Sequence, residues 1–330
     1  MIEKITEKIF RIPVTLPKNP LKSLNSYVIF GNTRNLLIDT GFNQEECFAD
    51  LTAGIRELDL DMRKTDILCT HFHADHTGLV PKIVSPDSIV YMSAMDKEQF
   101  DAYLLHPAET WGERIACFLE EGYPADELEA TMRINPANEF VAEKYFDCTS
   151  LMDWDVIDLG GIVLTSISTP GHTPGHMCFY AEEDRILFTG DHVLFDITPN
   201  ITSWASMADA LGTYLESLEK IKMLDVGIVL TGHRENDGRL AARADALLEH
   251  HRVRLEEVIR ILTEQPSLTA YEIASHMTWS IRAVRGWNDF PLAQKWFATG
   301  EAHSHIKHLI LQGKLHMNLD GGVYRYLVKS

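Results

Sequence analysis

The segment HFHADH, residues 71–76, places four side chains that can bind a metal ion within six positions. In extended backbone, alternate side chains point to the same side, so His71 and His73 can hold one ion together. A turn in the middle of the segment would direct Asp75 and His76 toward a second ion. Imidazole and carboxylate groups are suitable ligands for zinc, and also for iron or manganese. The alternative is a surface loop rich in histidine, but four candidate ligands directly after an apolar strand favour a metal site.

Three later segments repeat the pattern of a predicted strand that ends in a residue of this kind. TPGHTPGH supplies His172 and His176, TGD supplies Asp191, and TGH supplies His233. A glycine stands directly before each of them, and glycine lets the backbone turn sharply without a Cβ clash. The sequence therefore predicts one site that is assembled from several strand ends.

Taken together, these motifs resemble those of the metallo-β-lactamase-like superfamily, over roughly residues 10–240. The resemblance implies an α+β fold, a four-layered αβ/βα sandwich. It also implies a role for each motif residue. The first metal's ligands would be His71, His73 and His172, the second's Asp75, His76 and His233, and Asp191 would bridge the two ions.

Four residues close to the motifs are interpreted differently. In PGHTPGH the family's ligand is the first histidine, so we expect His176 to lie behind the ligands or in the core. Asp39, in LIDTG, matches the family's buried aspartate and is expected to orient the metal-binding loop. We expect His192 to be a hydrogen-bonded core histidine, with a part in catalysis as the alternative. Cys69 precedes the first motif but is left out, because a free cysteine usually behaves as a small apolar residue.

The elements that must position these residues follow from the apolar pattern. KIFRIPV, SYVIF and NLLIDTG predict a meander of β-hairpins, and QEECFADLTAGIRELDL predicts a helix. The strand DILCT runs directly into HFHADH. Strands return in GGIVLTSIST, HMCFYAE, RILFTGDHVLF and DVGIVLTGH. We therefore expect the site at the ends of strands, where loops begin.

A length of 330 residues exceeds the usual size of a single hydrophobic core and favours two domains. We predict a metallo-β-lactamase-like catalytic domain over residues 1–240. A helical insertion at about residues 96–150, interrupted by prolines, could cover the site. Residues 241–330 are predicted to form a linker helix and a second, smaller domain.

The order helix, helix, β-hairpin in the C-terminal region resembles the winged-helix domain that one glyoxalase-II-like branch of these hydrolases carries. A winged helix suggests a DNA-binding regulator. The candidate recognition helix, however, presents Glu301, His303, His305, Lys307 and His308, with only one permanent positive charge. Reading the major groove usually needs several cations that bind phosphates. We therefore favour a structural or dimerisation role, and a homodimer is one expectation.

Composition and charge narrow the function classes. Apolar residues make up 45% and charged residues 24% of the chain, as in ordinary globular proteins. Residues 251–330 carry a net charge of +3, which leaves −21 on residues 1–250 and argues against a broad nucleic-acid surface there. Neither a signal peptide nor an apolar run of about 20 residues is present, and the five cysteines are scattered. We expect a cytoplasmic protein with reduced thiols and no membrane span.

The resemblance implies a hydrolase in which a hydroxide that bridges two divalent ions, Zn²⁺ in the first place, attacks a small-molecule substrate. Asp75 would accept the proton of the nucleophile and pass it to the leaving group. An acidic main domain and an aromatic insertion favour a small ester, thioester or lactone. A phosphodiesterase or nuclease is the alternative within the same fold. An iron-based oxygen reductase or a persulfide dioxygenase shares these ligands. The C-terminal region is too short and of the wrong pattern for the flavin domain that the reductase normally carries, and the dioxygenase uses a single iron with fewer ligands.

Overall fold

The structure is a computed structural model that describes residues 2–235, 238–280 and 286–329, with the backbone only at residues 136 and 137. The chain divides into two compact units, each built from separate segments. Unit 1 contains residues 1–105, 136–199 and 217–244, and unit 2 contains residues 106–135, 200–216 and 245–330. The predicted division at residue 240 stays a prediction.

Unit 1 is built on a seven-stranded sheet whose strands follow one another in chain order. Its first four strands pair antiparallel, and β4 to β7 pair parallel. Every residue of β3 after the first is buried, as in a strand that is covered on both faces. The strands are β1 Glu3–Lys4, β2 Ile9–Thr15, β3 Ser23–Ile29, β4 Asn35–Ile38, β5 Thr65–Leu68, β6 Val90–Ser93 and β7 Thr149–Leu151.

The second sheet of unit 1 has five strands in the order β12, β11, β10, β9, β8. The strands are β8 Val156–Asp158, β9 Val163–Ser168, β10 Met177–Ala181, β11 Ile186–Gly190 and β12 Ile228–Thr231. Strands β11 and β12 pair parallel, with Gly190 opposite Thr231. Parallel neighbours end at the same edge of a sheet, so the residues that follow these two strands lie side by side.

The two sheets of unit 1 share one apolar core. Its side chains come from both sheets, among them Ile9, Leu36 and Leu68 from the first and Phe179 and Phe188 from the second. Strands β2 to β12 therefore turn apolar side chains inward and the sheets stack as a sandwich, whereas β1 is exposed.

Helices cover the sandwich and build most of unit 2. Helix α1 packs on β2, and α4 packs on β6 and β7. The prolines of the predicted insertion begin helices, because proline is tolerated in the first helical turn. The helices are α1 Glu45–Glu57, α2 Ala74–Thr77, α3 Val80–Ile83, α4 Ala94–Leu105, α5 Pro107–Glu120, α6 Ala125–Arg133, α7 Pro136–Glu139, α8 Ala210–Lys222, α9 Leu240–Glu264, α10 Ala270–His276 and α11 Leu292–Leu311, with short 3₁₀ turns at Met62–Lys64 and Trp287–Asp289.

Unit 2 holds two apolar clusters of its own. The larger joins α9, α10 and α11 to the hairpin of β13 Leu315–Asp320 and β14 Val323–Val328. The smaller is aromatic and includes Phe118 stacked on Trp296, with ring centroids 3.6 Å apart. The helix and hairpin order matches the predicted one, and the winged-helix assignment stays a prediction.

The candidate recognition helix of unit 2 is enclosed by its own unit. Helix α11 begins at Leu292, earlier than the predicted start at Glu301, because Gly300 does not interrupt it. Glu301 and His305 are buried, and His308 Nδ1 lies 2.8 Å from Oδ2 of Asp209. Side chains held in this way are not offered to a DNA groove, which argues against a base-reading role.

No helix of the described residues is both long enough and apolar enough to cross a membrane.

Candidate metal centre

The loop after β5 carries four of the seven predicted ligands. All residues of β5 are buried, and the chain then passes through His71 and His73 before the helical turn α2 begins at Ala74. Asp75 and His76 lie within this turn, so they leave the extended path of the two preceding histidines. The turn that the sequence predicts in the middle of HFHADH is present.

A first cluster contains His71, His73 and His172, which come from two loops. Nε2 of His71 lies 3.0 Å from Nδ1 of His73, and Nε2 of His172 lies 3.1 Å from the same atom. Two nitrogen ligands of one tetrahedral zinc ion, each about 2.0 Å from it, lie about 3.3 Å apart. The spacing of the three nitrogens therefore suits one shared ion.

A second cluster contains Asp75, His76 and His233. Oδ2 of Asp75 lies 3.3 Å from Nε2 of His233 and 3.9 Å from Nε2 of His76. The three ligand atoms lie within 4.8 Å of one another, as do those of the first cluster. Carboxylate and imidazole together form a second donor set of the kind that divalent zinc, iron and manganese accept.

The carboxylate of Asp191 faces both clusters. Its Oδ2 lies 3.8 Å from Nε2 of His172 in the first cluster and 3.4 Å from Nε2 of His233 in the second. Its Oδ1 lies 3.6 Å from Nε2 of His76. One side chain is thus placed to contact two neighbouring ions, which is the role that the resemblance implies for it.

The parallel pairing of β11 and β12 explains how Asp191 reaches His233, because both residues follow the same sheet edge. Gly190 has a backbone φ of +47°, which residues other than glycine rarely adopt. A Cβ on Gly232 would lie 2.5 Å from Oδ1 of Asp191. Glycine is therefore required for two different reasons, a backbone turn at one position and a close approach at the other.

Hydrogen bonds of Asp39 orient the metal-binding loop. Its Oδ1 accepts from the backbone N–H of Thr70 at 2.9 Å, and its Oδ2 accepts from the Thr70 hydroxyl at 2.8 Å. Nδ1 of His76 also donates to Oδ2, at 2.8 Å. The Thr70 oxygen is left to accept from Nδ1 of His71 at 3.1 Å. A proton on Nδ1 keeps the Nε2 lone pair of each ring free to bind a metal.

Three residues close to the motifs, His176, His192 and Cys69, are buried but lie outside the two clusters. His176 accepts the backbone N–H of Asp191 on Nε2 at 3.1 Å, and its Nδ1 lies 2.9 Å from the Thr169 hydroxyl, so it positions the bridging residue. Burial lowers the pKa of His192 to about 3, which keeps this ring neutral. Burial raises the pKa of Cys69 well above its usual value, so the thiol stays protonated. Among the described residues, none of these three belongs to a group with metal-binding spacing.

The donor set fits divalent ions. Among the described residues, Nε2 of His76, Nε2 of His233 and Oδ1 of Asp191 are buried and lack a hydrogen-bond partner, which is costly unless another ligand satisfies them. Burial lowers the pKa of His71 well below its usual value, and a neutral ring is the form that binds metal. Burial also works to lower the pKa of His233, but the carboxylates of Asp191 and Asp75 raise it well above its usual value. A bound cation would replace that proton.

Two residues that contact the site were missed in the sequence. Thr70 directly precedes the first motif, and its position between a strand and that motif was the available signal. Asp96 lies buried at the start of α4 and contacts both loops of the first cluster. The spacing from Ser93 to Asp96 is typical of a helix cap, and the N–H of Asp96 does bond the Ser93 hydroxyl. That local pattern accounts for the N–H of Asp96 and gives no indication of the contacts that its carboxylate makes.

Comparison with known proteins agrees with this geometry. The profile of the metallo-beta-lactamase superfamily matches residues 20–116 and 147–233. The chain is 24% identical over 290 residues to a beta-lactamase-like protein 2 homolog of Caenorhabditis elegans, covering 85% of this chain and 81% of that protein. It is 23% identical over 325 residues to the atrochrysone carboxyl ACP thioesterase of Emericella nidulans, covering 98% and 85%.

A crystal structure of a metallo-beta-lactamase family protein from Thermus thermophilus matches with a TM-score of 0.84 and 26% identity, over 99% of this chain and 100% of that chain. The predicted α+β fold of metallo-β-lactamase type is therefore confirmed. With a profile match over more than half of its residues, the chain belongs to the metallo-beta-lactamase superfamily, and it is a hydrolase of that fold with a His/Asp cluster that can hold metal ions.

Proposed function

We propose that this protein binds two divalent metal ions, Zn²⁺ in the first place, and hydrolyses a small ester, thioester or lactone. The observation that carries the proposal is the position of Asp191, whose carboxylate faces the His71/His73/His172 cluster and the Asp75/His76/His233 cluster at once. A structural zinc site usually has four protein ligands around one ion, with no open coordination position. Seven candidate ligands, one of them a carboxylate that faces both clusters, favour two ions and catalysis instead.

When bound, two divalent ions supply Lewis acidity and lower the pKa of a water molecule toward neutrality. The chain's own contribution is to hold seven donor atoms at fixed spacing and to move a proton. Burial works to raise the pKa of Asp75, but the facing His76 and His233 rings hold it at about 2. Oδ2 of Asp75 is therefore ionised at neutral pH and can accept a proton and release it to a leaving group. Asp75 is the proposed catalytic residue.

Two observations support an ester or thioester over a phosphodiester. A relative that aligns with nearly the whole chain is named as an acyl carrier protein thioesterase. The strongest charge partners of six donor side chains are other histidines and aspartates rather than Lys or Arg; the six are His71, His73, Asp75, His76, Asp191 and His233. Phosphoryl transfer usually relies on cationic side chains around the phosphate.

The first experiment combines metal analysis with a substrate panel. The purified full chain is assayed for zinc, iron and manganese by mass spectrometry. It is then tested with acyl-glutathione and acyl-CoA thioesters, lactones and bis-p-nitrophenyl phosphate. We expect about two metal equivalents and turnover of a thioester, ester or lactone. Strong turnover of the phosphodiester alone would overturn the substrate class, and a metal-free active enzyme would overturn the proposal itself.

The second experiment compares Asp191→Ala with Asp184→Ala. Asp184 is exposed in the turn before β11 and makes a matched control of the same residue type. Without the bridging carboxylate, the ions should separate, so we expect Asp191→Ala to lose most of the activity and about one metal equivalent. Asp184→Ala should keep both. Retention of both ions by Asp191→Ala would show that Asp191 does not bridge them.

A further inference from the structure

The carboxylate of Asp96 joins the two loops that form the first cluster. Its Oδ2 accepts the backbone N–H of Phe72 at 3.0 Å and the hydroxyl of Thr173 at 2.7 Å. Its Oδ1 accepts the backbone N–H of Gly175 at 2.6 Å. The side chain is fully buried. All three partners donate, so the group acts as an ionised acceptor, and hydrogen bonds to an ionised acceptor are shorter and stronger than neutral ones.

Two of these three contacts lie next to a candidate ligand in the chain. Phe72 stands between His71 and His73, and Thr173 directly follows His172. The first cluster depends on contact between these same two loops, because His73 Nδ1 and His172 Nε2 are 3.1 Å apart. One buried carboxylate therefore bonds both the loop of His71 and His73 and the loop of His172.

We propose that Asp96 is a positioning residue that sets the distance between the His71/His73 pair and His172, and so sets the affinity of the first cluster for its ion. The inference rests on the proposed function, since it assumes that the cluster binds a metal. Asp39 performs a separate task, because its carboxylate bonds Thr70 and His76 rather than the loop that carries His172. The two buried aspartates thus hold different parts of the site: Asp39 bonds the segment around Thr70 and His76, and Asp96 joins that segment to the loop that carries His172.

The test compares Asp96→Asn, Thr173→Val and the control Asp101→Asn. Asparagine keeps the size of Asp96 but presents an amide group to one of the three donors, and valine removes only the Thr173 hydroxyl donor. Asp101 lies on the same helix and pairs with Lys97 at 2.7 Å. Each purified full chain is titrated with Zn²⁺ against a chelator, and with Co²⁺ while the visible spectrum is recorded.

We expect Asp96→Asn to bind one of the two ions about 10- to 100-fold more weakly, in the range usual for groups that orient metal ligands. Thr173→Val should lower the affinity for the same ion by a smaller factor. The Co²⁺ spectrum of that ion should shift, while the other ion keeps its affinity and spectrum. Asp101→Asn should match the wild type. Asp39→Asn should instead weaken the binding of both ions, because its carboxylate orients His71 through Thr70 and contacts His76 directly.

Wild-type affinity and spectrum for both ions in Asp96→Asn and Thr173→Val would overturn the inference, and so would equal weakening of both ions. If Asp96→Asn does not fold by circular dichroism, Thr173→Val decides alone. A wild-type chain that binds no metal would refute the proposed function instead. If the wild type binds two ions and both variants bind these ions with wild-type affinity, the role of Asp96 is refuted but the proposed function is not.

Discussion

Gly232 directly precedes His233 and lies close to the carboxylate of Asp191. The variant Gly232→Ala therefore tests whether Asp191 bridges two ions. A Cβ at this position would lie 2.5 Å from Oδ1 of Asp191. Real Cβ atoms essentially never come closer than 3.0 Å to a neighbour. The carboxylate, or the backbone behind it, must therefore move by at least about 0.5 Å, whereas metal–ligand bonds vary by only about 0.2 Å.

A displacement of the carboxylate by more than about 0.2 Å lowers the affinity of the site for every ion that Asp191 binds. We expect Gly232→Ala to lower metal affinity about 10- to 100-fold, which corresponds to about 1.4 to 2.8 kcal/mol. The effect should be steric, because Gly232 does not have the positive φ that would strain an alanine. Hydrolytic activity should fall at limiting metal and recover in part when metal is added in excess.

The assay is a competition titration of Zn²⁺ against a chelator, with turnover measured at each free zinc concentration. Gly227→Ala is the matched control, because it lies at the other end of β12 and an added Cβ would meet its nearest neighbour at 3.6 Å. That variant should bind zinc like the wild type. Equal zinc affinity of Gly232→Ala and Gly227→Ala would falsify the placement of Asp191 between two ions.

Removing the metals should also destabilise unit 1. An ion present at about 100 times its dissociation constant adds about 2.7 kcal/mol, so chelation should lower the unfolding midpoint by about 5 °C or more in scanning fluorimetry; an unchanged midpoint would count against a buried metal site. In unit 2, burial raises the pKa of Glu301 from an ordinary value of 4.5 to about 6, despite the opposing Arg254 and Asn200. The folded state then holds a proton that the unfolded state has lost between these values, so stability should fall by about 2 kcal/mol as pH rises from about 4.5 to 6. Denaturation curves of Glu301→Gln should lack this decline, and parallel pH dependences of variant and wild type would contradict it.

The fold and the metal-binding segments could be predicted because their signals are local. His71, His73, Asp75 and His76 follow a short apolar strand within six residues, and such a pattern needs no tertiary information. Asp191 and His233 were placed by the same logic, since each ends a strand of β-branched and apolar residues. The parallel pairing that brings these two together is a tertiary fact that the sequence did not predict, and the resemblance supplied only their roles as ligands.

Asp96 could not be found in this way, because its function lies in contacts with residues far along the chain. Its neighbours in sequence present a helix cap, and that interpretation is correct for its N–H group. Its carboxylate instead bonds Thr173, and nothing in the local pattern links these two positions. A buried acidic residue that no nearby cation explains is recognisable only once burial is known.

The length of helix α11 and the enclosure of its side chains were also beyond local reasoning. The sequence indicated a helix from Glu301 onward, and Gly300, directly before it, weakens a helix by about 1 kcal/mol relative to alanine. Burial of Trp296, Ile306 and Leu309 on the same helix outweighs that cost. The segment around Asp209 that covers this helix comes from the middle of the chain, where sequence reasoning placed no second-domain residues.

The parallel pairing of β11 and β12 makes the metal centre a late product of folding. Its ligands are spread from His71 to His233, so the site closes only when segments about 160 residues apart have met. A chain still being synthesised can present His71 and His73 long before it contains His233. Metal captured at that stage would meet an incomplete ligand set, so the proposed two-ion centre can be complete only after most of unit 1 has been synthesised.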